Sequence, residues 1–279
     1  MDIGAHFCYD RNRDDDRCWP LLDVLQPRAI VVMSHTDPAD LERLAASYPI
    51  RHWLIRMKSG AEKQMGYPSD NMVDWKEWPT EQSTSDAIMR AKSLGKRPKV
   101  IIFNEPDIEL PPPGTNANDF IDQATGVYRD AAQRTINHLR DHWGDELDIA
   151  LAPISEGDPD RAGRWFAALE PLLPQVDFIA EHCYTNGRPY EDPDWGSRFR
   201  RWEGVIDRFG NQIAVHITEA NDNGVHVGPG RAEDLAAYGR YVSGFPRVES
   251  LSYFVMPGGM GSMPEWWALA LSDMQAIVA

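Results

Sequence analysis

The chain has 279 residues, 42% hydrophobic and 25% charged, with a formal net charge of −15 at pH 7. It is long enough for a full buried core, and a prior of roughly 100–200 residues per domain leaves open a barrel of about 250 residues folded as one unit. The negative balance, with no Lys or Arg cluster beyond Arg198–Arg201, argues against nucleic acid and against an anionic membrane surface as partner.

No apolar run approaches the ~18 residues of a membrane span. The N-terminal MDIGAHFCYDRNRDDD has neither the basic nor the apolar region of a secretory leader. The chain as it stands is therefore expected in the cytoplasm, or outside the cell if a leader has been removed. Cys8, Cys18 and Cys183 lack CxxC spacing, which predicts free thiols and no structural zinc. The Asp14–Asp16 run reads as a solvated loop, since no calcium-loop spacing follows it.

Short β-branched runs alternate with helical patterns along the chain. Gly4–Tyr9 reads as a strand followed by a thin connection, and Ala29–Ser34 as a strand leading to a helix at Pro38–Ser47 with an Asp cap. His52–Met57 leads through a long loop, Lys58–Pro79, to a helix at Ser83–Leu94. Lys99–Asn104 leads through Pro106–Ala117 to a helix at Asn118–His142. The remaining strands are Leu147–Ala152, Asp177–Tyr184, Gln212–Thr218 and Ser250–Met256, and the helices after them are Asp160–Leu169, Trp195–Phe209, Arg231–Ser243 and Pro264–Ile277. AIVVM and KVIIF are almost continuously apolar, as parallel strands buried on both faces require. In the Asn118–His142 segment, Phe120, Ile121, Ala124, Val127, Tyr128, Ala131, Ile136 and Leu139 form one stripe at helical spacing.

Eight such units match a single (β/α)8 TIM barrel spanning residues 1–279. No GxGxxG follows the first strand, no P-loop occurs, and no composition break splits the chain.

In a barrel of this kind the chemistry sits where strands end and βα loops begin. VIIFNEP places Glu105 at the end of the fourth strand, and IAVHITEA places Glu219 at the end of the seventh. Facing each other across the barrel mouth, two carboxyls are the minimum equipment for glycoside cleavage: one donates a proton to the leaving oxygen and the other attacks the anomeric carbon. Taken singly, an Asn-Glu-Pro is also a capped turn and a Glu after a strand a solvated loop residue. The joint placement favours a catalytic pair.

Asn104-Glu105-Pro106 at strand four together with Glu219 at strand seven resembles clan A of the glycoside hydrolases. The resemblance follows the whole strand order and implies retention of configuration, no metal and no cofactor. It makes Glu105 the acid/base, Glu219 the nucleophile and Asn104 a ligand of the sugar 2-hydroxyl. Within the clan, the NEPD sequence and the DFIAEHCYT strand are similar to the small β-1,3-glucanase-type family 128, so an endo-β-glucanase is expected. Mannan, xylan, galactan and microbial surface polysaccharides remain open as substrates.

His182 and Tyr184 share strand parity and can both face the mouth. The resemblance places Tyr184 on the nucleophile and His182 beside the acid/base or the sugar. Arg56, ending strand three, can hold Glu219 ionised while Glu105 stays protonated, although the clan more often carries such an Arg one strand earlier. Where the clan commonly has a platform Trp at strand eight, this chain offers Phe254, with Trp266 and Trp267 further on. His6, His35 and His216 are further candidate substrate contacts, although such histidines are more often satisfied by hydrogen bonds, and Trp75 and Trp78 read equally as subsite platforms or loop anchors. The expected partner is a carbohydrate, bound by a monomer.

Two other classes fit parts of the pattern. A metal-dependent barrel resembling the xylose isomerases and related endonucleases would use Glu156, Glu181, His182, His216 and Glu219. Strand alternation keeps those residues from converging unless β-bulges intervene. A non-catalytic sugar-binding barrel has no need of the paired carboxyls.

Overall fold

The computed structural model describes residues 1–7, 18–57, 82–106, 117–154, 159–184, 191, 203–204, 207, 213–221, 230–254 and 269–279. Eight parallel strands close into a barrel in sequence order. They are β1 (Asp2–Phe7), β2 (Ala29–Met33), β3 (His52–Arg56), β4 (Pro98–Ile102), β5 (Asp148–Leu151), β6 (Phe178–Tyr184), β7 (Ala214–Asn221) and β8 (Val248–Phe254). The described helices are α1 (Cys18–Leu25), α2 (Pro38–Ser47), α3 (Gln82–Ser93), α4 (Ala117–Trp143), α5 (Pro159–Leu169), α6 (Arg231–Ser243) and α7 (Leu271–Val278). None of them is long and apolar enough to cross a membrane.

Alternation along the strands separates two cores. Ala29, Val31, Leu54, Ile101, Ala150, Phe178 and Ala180 pack inside the barrel. Their sequence neighbours Ile30, Val32, Ile55, Val100, Ile102, Ile149 and Ile179 pack outward against the helices. Both faces are covered, so each strand reads as a continuous apolar run, and each fully buried Ile, Val or Leu contributes roughly 1.5–3 kcal/mol. On α4, Tyr128, Ala131, Ile136 and Leu139 are buried in that outer core.

The element boundaries differ from the sequence expectation in places with clear causes. The thin first connection contains α1, CWPLLDVL, whose apolar run is too short and too continuous to show a helical stripe. It is anchored by buried Trp19, which packs on Phe7 with ring centroids 5.2 Å apart, while the Arg43 guanidinium lies 3.6 Å from the Trp19 ring. Among the described residues the last helix begins at Leu271; Trp266, Trp267 and most of Trp195–Phe209 lie outside them.

Strand β4 stops at Ile102, not Asn104, because Phe103 (φ 76°) and Glu105 (φ 30°) take left-handed conformations that break the ladder. Strand β7 instead continues past Thr218 to Asn221, since Ala220 and Asn221 still pair with Cys183 and Tyr184 of β6.

Two features fix the framework beneath the mouth. The Tyr128 hydroxyl donates to the Ile102 carbonyl at 2.9 Å and accepts from the Ala152 amide at 2.6 Å, so α4 clamps the ends of β4 and β5 where the strand gives way to the Glu105 turn. In β1, a Cβ on Gly4 would fall 2.5 Å from the Ala29 carbonyl oxygen and 2.7 Å from Ser252 Oγ, so only glycine lets the neighbouring strands approach there.

Candidate active site

The backbone reversal after β4 carries Asn104 and Glu105 over the mouth. A bulky residue such as Phe103 at positive φ is an outlier, and such strain collects where a side chain must be aimed for a purpose. On β7 a bulge does the aiming. Glu181 pairs with Ile217 and His182 with Glu219, leaving Thr218 as an extra residue whose hydroxyl donates to the Glu181 carbonyl at 3.1 Å. The bulge sets Glu219 directly opposite His182.

Glu219 is the hub of a buried network. Its Oε1 accepts from Arg56 at 2.9 Å, lies 2.9 Å from His6 Nδ1 and lies 3.5 Å from His182 Nε2. Its Oε2 accepts from the Tyr184 hydroxyl. Arg56 also donates to Asn104 Oδ1 at 2.8 Å and reaches Met33 Sδ at 3.1 Å, so one guanidinium ties together β2, β3, β7 and the Glu105 turn. His182 Nδ1 lies 2.8 Å from Glu105 Oε1, which makes its ring the bridge between the two carboxyls. One oxygen of Glu105, one of Glu219 and a ring nitrogen of His182 all lie within 4.8 Å of one another.

The electrostatics follow from these contacts. Burial by itself would push the Glu219 carboxyl up, but His182, His6 and Arg56 reverse this and hold it well below the usual carboxylate range. Burial and the facing carboxylates Glu219 and Glu105 push the Tyr184 hydroxyl far above its ordinary value, so it stays a neutral donor. Burial lowers His6 to about 4 against the opposing pull of Glu219, which leaves its ring neutral at pH 7. The side chain of Glu105 keeps 16% exposure, against 8% for Glu219, so Glu105 is the carboxyl more open to the mouth.

Of the residues singled out from the sequence, Glu105, Glu219, Asn104, Arg56, His182, Tyr184 and His6 thus converge. His6 is completely buried and sits behind Glu219. Phe254 is also buried, packed edge-on to His6 with ring centroids 5.3 Å apart, and its carbonyl accepts from Asn221 at 3.2 Å. It therefore lines the wall behind Glu219. Trp75, Trp78, Glu156, the whole of loop 58–79 and residues 107–116 lie outside the described residues.

The five-residue metal set does not assemble. His216 lies near the opposite end of the barrel, its Nε2 3.3 Å from Glu249, and Glu181 falls on the outward-facing parity with Ile179 and Cys183. Glu105, His182 and Glu219 are close enough to share a cation. Arg56, however, already places a fixed positive charge on Glu219 Oε1.

No protein-family model matches the sequence, and no curated protein matches it. Solved structures do. One is a family 128 (subgroup I) endo-β-1,3-glucanase from Amycolatopsis mediterranei, 14% identical over 99% of this chain and 98% of that one, with a TM-score of 0.58. Another is a fungal β-1,4-galactanase, 14% identical over 92% and 89%, with a TM-score of 0.59. A third is the family 26 domain of an endo-β-mannanase/endo-β-glucanase from Prevotella bryantii, 10% identical over 100% and 88%, with a TM-score of 0.60. The chain shares their barrel fold. The resemblance read from Glu105 and Glu219 is to the same group of barrels.

Proposed function

We propose that this chain is a glycoside hydrolase that cleaves a β-linked polysaccharide with retention of configuration, Glu219 acting as nucleophile and Glu105 as acid/base. The observation that carries the reading is the carboxyl pair at the ends of β4 and β7, with oxygens within 4.8 Å of each other. One oxygen of each carboxyl within that distance favours the closer placement of double displacement, about 5–5.5 Å between carboxyl groups, over the about 6.5–9.5 Å that leaves room for a water between them.

In the first step a Glu219 oxygen attacks the anomeric carbon as its bond to the leaving oxygen breaks, and Glu105 passes a proton to that oxygen. In the second step Glu105 takes a proton from water, and the water oxygen displaces Glu219. Arg56, His6 and Tyr184 keep Glu219 ionised and oriented before substrate arrives. His182 fixes the Glu105 carboxyl. Asn104, its carbonyl oxygen held by Arg56, turns its amide toward the sugar 2-hydroxyl, a contact that strengthens as the oxocarbenium-like transition state forms.

The substrate lean is an endo-acting attack on a β-glucan. It is supported by the similarity to the family 128 glucanase, whose structure was solved with laminaripentaose. The test is hydrolysis of β-1,3-glucan, β-1,4-glucan, mannan, xylan and galactan, with product size and anomeric configuration followed by NMR. β-Configured oligosaccharides released early by the wild type, and lost in Glu105→Gln and Glu219→Gln, are expected. Initial α product would refute double displacement, and activity surviving Glu219→Gln would refute the assignment of the pair.

A further inference from the structure

The floor of the barrel, at the N-terminal ends of the strands, carries a second cluster that the proposed hydrolysis does not use. His52 opens β3, four residues and so about 13 Å along the strand from Arg56. His216 on β7 is completely buried, its ring edge-on to Phe178 (5.0 Å) and close to His52 (4.9 Å). Glu249 arrives through a bulge: Val248 pairs with Val215 and Ser250 with His216, so Glu249 is the extra residue of β8 and is turned out of alternation.

These three side chains each present one atom, all within 4.8 Å of one another. His216 Nε2 stands 3.3 Å from Glu249 Oε2, and His52 Nδ1 stands 3.8 Å from the same oxygen. An edge of about 3.3 Å is what a tetrahedron with metal–ligand bonds of about 2.0 Å requires.

The other nitrogen of each ring is already held. His216 Nδ1 is hydrogen-bonded to Ser250 Oγ at 2.7 Å, and His52 Nε2 lies 3.3 Å from Asp2 Oδ2. Such outer partners fix the tautomer of a metal-binding imidazole and aim its lone pair. His216 Nε2 is buried and makes no hydrogen bond, despite its approach to Glu249. A buried ring nitrogen facing a carboxylate, with the ring's other nitrogen already held, has the arrangement of a metal-binding imidazole.

We propose that His52, His216 and Glu249 form a binding site for a divalent transition-metal ion on the barrel floor. Two imidazoles and one carboxylate suit zinc or cobalt, and the 40% exposure of the Glu249 side chain leaves room for a water as fourth ligand. Lys99 Nζ is the competing cation, 3.8 Å from Glu249 Oε2. It is also 3.1 Å from Asp148 Oδ2, which shares its charge. The ion would join β3, β7 and β8 and stabilise the folded state by mass action.

The test uses untagged protein stripped with chelator and titrated with cobalt(II) chloride, followed by visible d–d absorption, and with zinc chloride by calorimetry. One equivalent is expected to bind with a tetrahedral cobalt spectrum and to raise the thermal midpoint. Glu249→Gln and His52→Gln, whose side chains reach solvent, should each weaken binding by at least about 10-fold and abolish the thermal shift, with glycan hydrolysis unchanged. Glu105→Gln, which removes a ligand from the cluster at the mouth, should bind as the wild type does. No binding at millimolar metal, binding that survives both floor variants, or binding lost in Glu105→Gln would each overturn the proposal.

Discussion

Arg56 and Glu219 are 163 residues apart in sequence and 2.9 Å apart in the barrel mouth, both buried. A buried carboxylate is tolerable only if paired, and this one is held by a guanidinium that also grips Asn104. Arg56→Met should therefore raise the Glu219 pKa by about 1–3 units and move the acid limb of the kcat/KM profile upward by a similar amount. A pH–rate profile of the variant checks this; an unmoved limb would assign the acid limb to another group.

The two carboxyls should separate by leaving-group dependence. Protonation of the leaving oxygen matters most for poor leaving groups, so Glu105→Ala should lose about 100- to 10,000-fold in kcat on polysaccharide but far less on an activated aryl glycoside. Glu219→Ala should lose activity on both. Parallel kinetics on the two substrate types decides whether the roles are as assigned.

Stability should fall as the solution is acidified from neutral. His6 and His216 have folded pKa values lowered to about 4, below their unfolded value of 6.5. Between those values the unfolded chain binds more protons, so stability rises with pH there and is lost on going from about 6.5 toward about 4. Glu219, also lowered, adds a loss that sets in as the pH falls through the usual carboxylate range and grows below it. Each buried His contributes at most about 3 kcal/mol. Urea denaturation at pH 7 and pH 5 measures the slope, and His216→Asn should flatten it.

Tyr128→Phe removes one hydroxyl that serves both the Ile102 carbonyl and the Ala152 amide. Leaving these buried groups unsatisfied should cost about 1–3 kcal/mol. Because Ile102 precedes the turn that carries Glu105, kcat should fall more than KM rises, which steady-state kinetics at a temperature well below the thermal midpoint would detect.

Gly4→Ala should destabilise the barrel by about 1–3 kcal/mol, because the new methyl meets backbone and side chain at 2.5–2.7 Å. A lowered urea midpoint with an unchanged slope is the expected signature.

The order of strands and helices was legible because a parallel barrel buries both strand faces and one helix stripe, and both patterns are written in local sequence. The Glu105–Glu219 pair could be read for a related reason: a strand end in this fold is a place on the rim. Helix α1 escaped, since eight residues with five buried leave no periodicity to see. Parity correctly put His182 and Tyr184 on one face, but it also separated His216 from Glu219. Both serve buried clusters nonetheless, at opposite ends of the barrel, because an extra residue at Thr218 resets the alternation.

The alternation of elements, the barrel and the two carboxyls at strand ends are all local in origin, since each depends on residues a few positions apart. The closure of Arg56 from β3, His6 from β1 and Tyr184 from β6 on one carboxylate, and the meeting of His52, His216 and Glu249 at the floor, come from long-range packing. Closing the barrel and inserting two bulges sets those distances. Neither leaves a trace in local periodicity, because a bulge is a matter of pairing between strands and not of the residues within one.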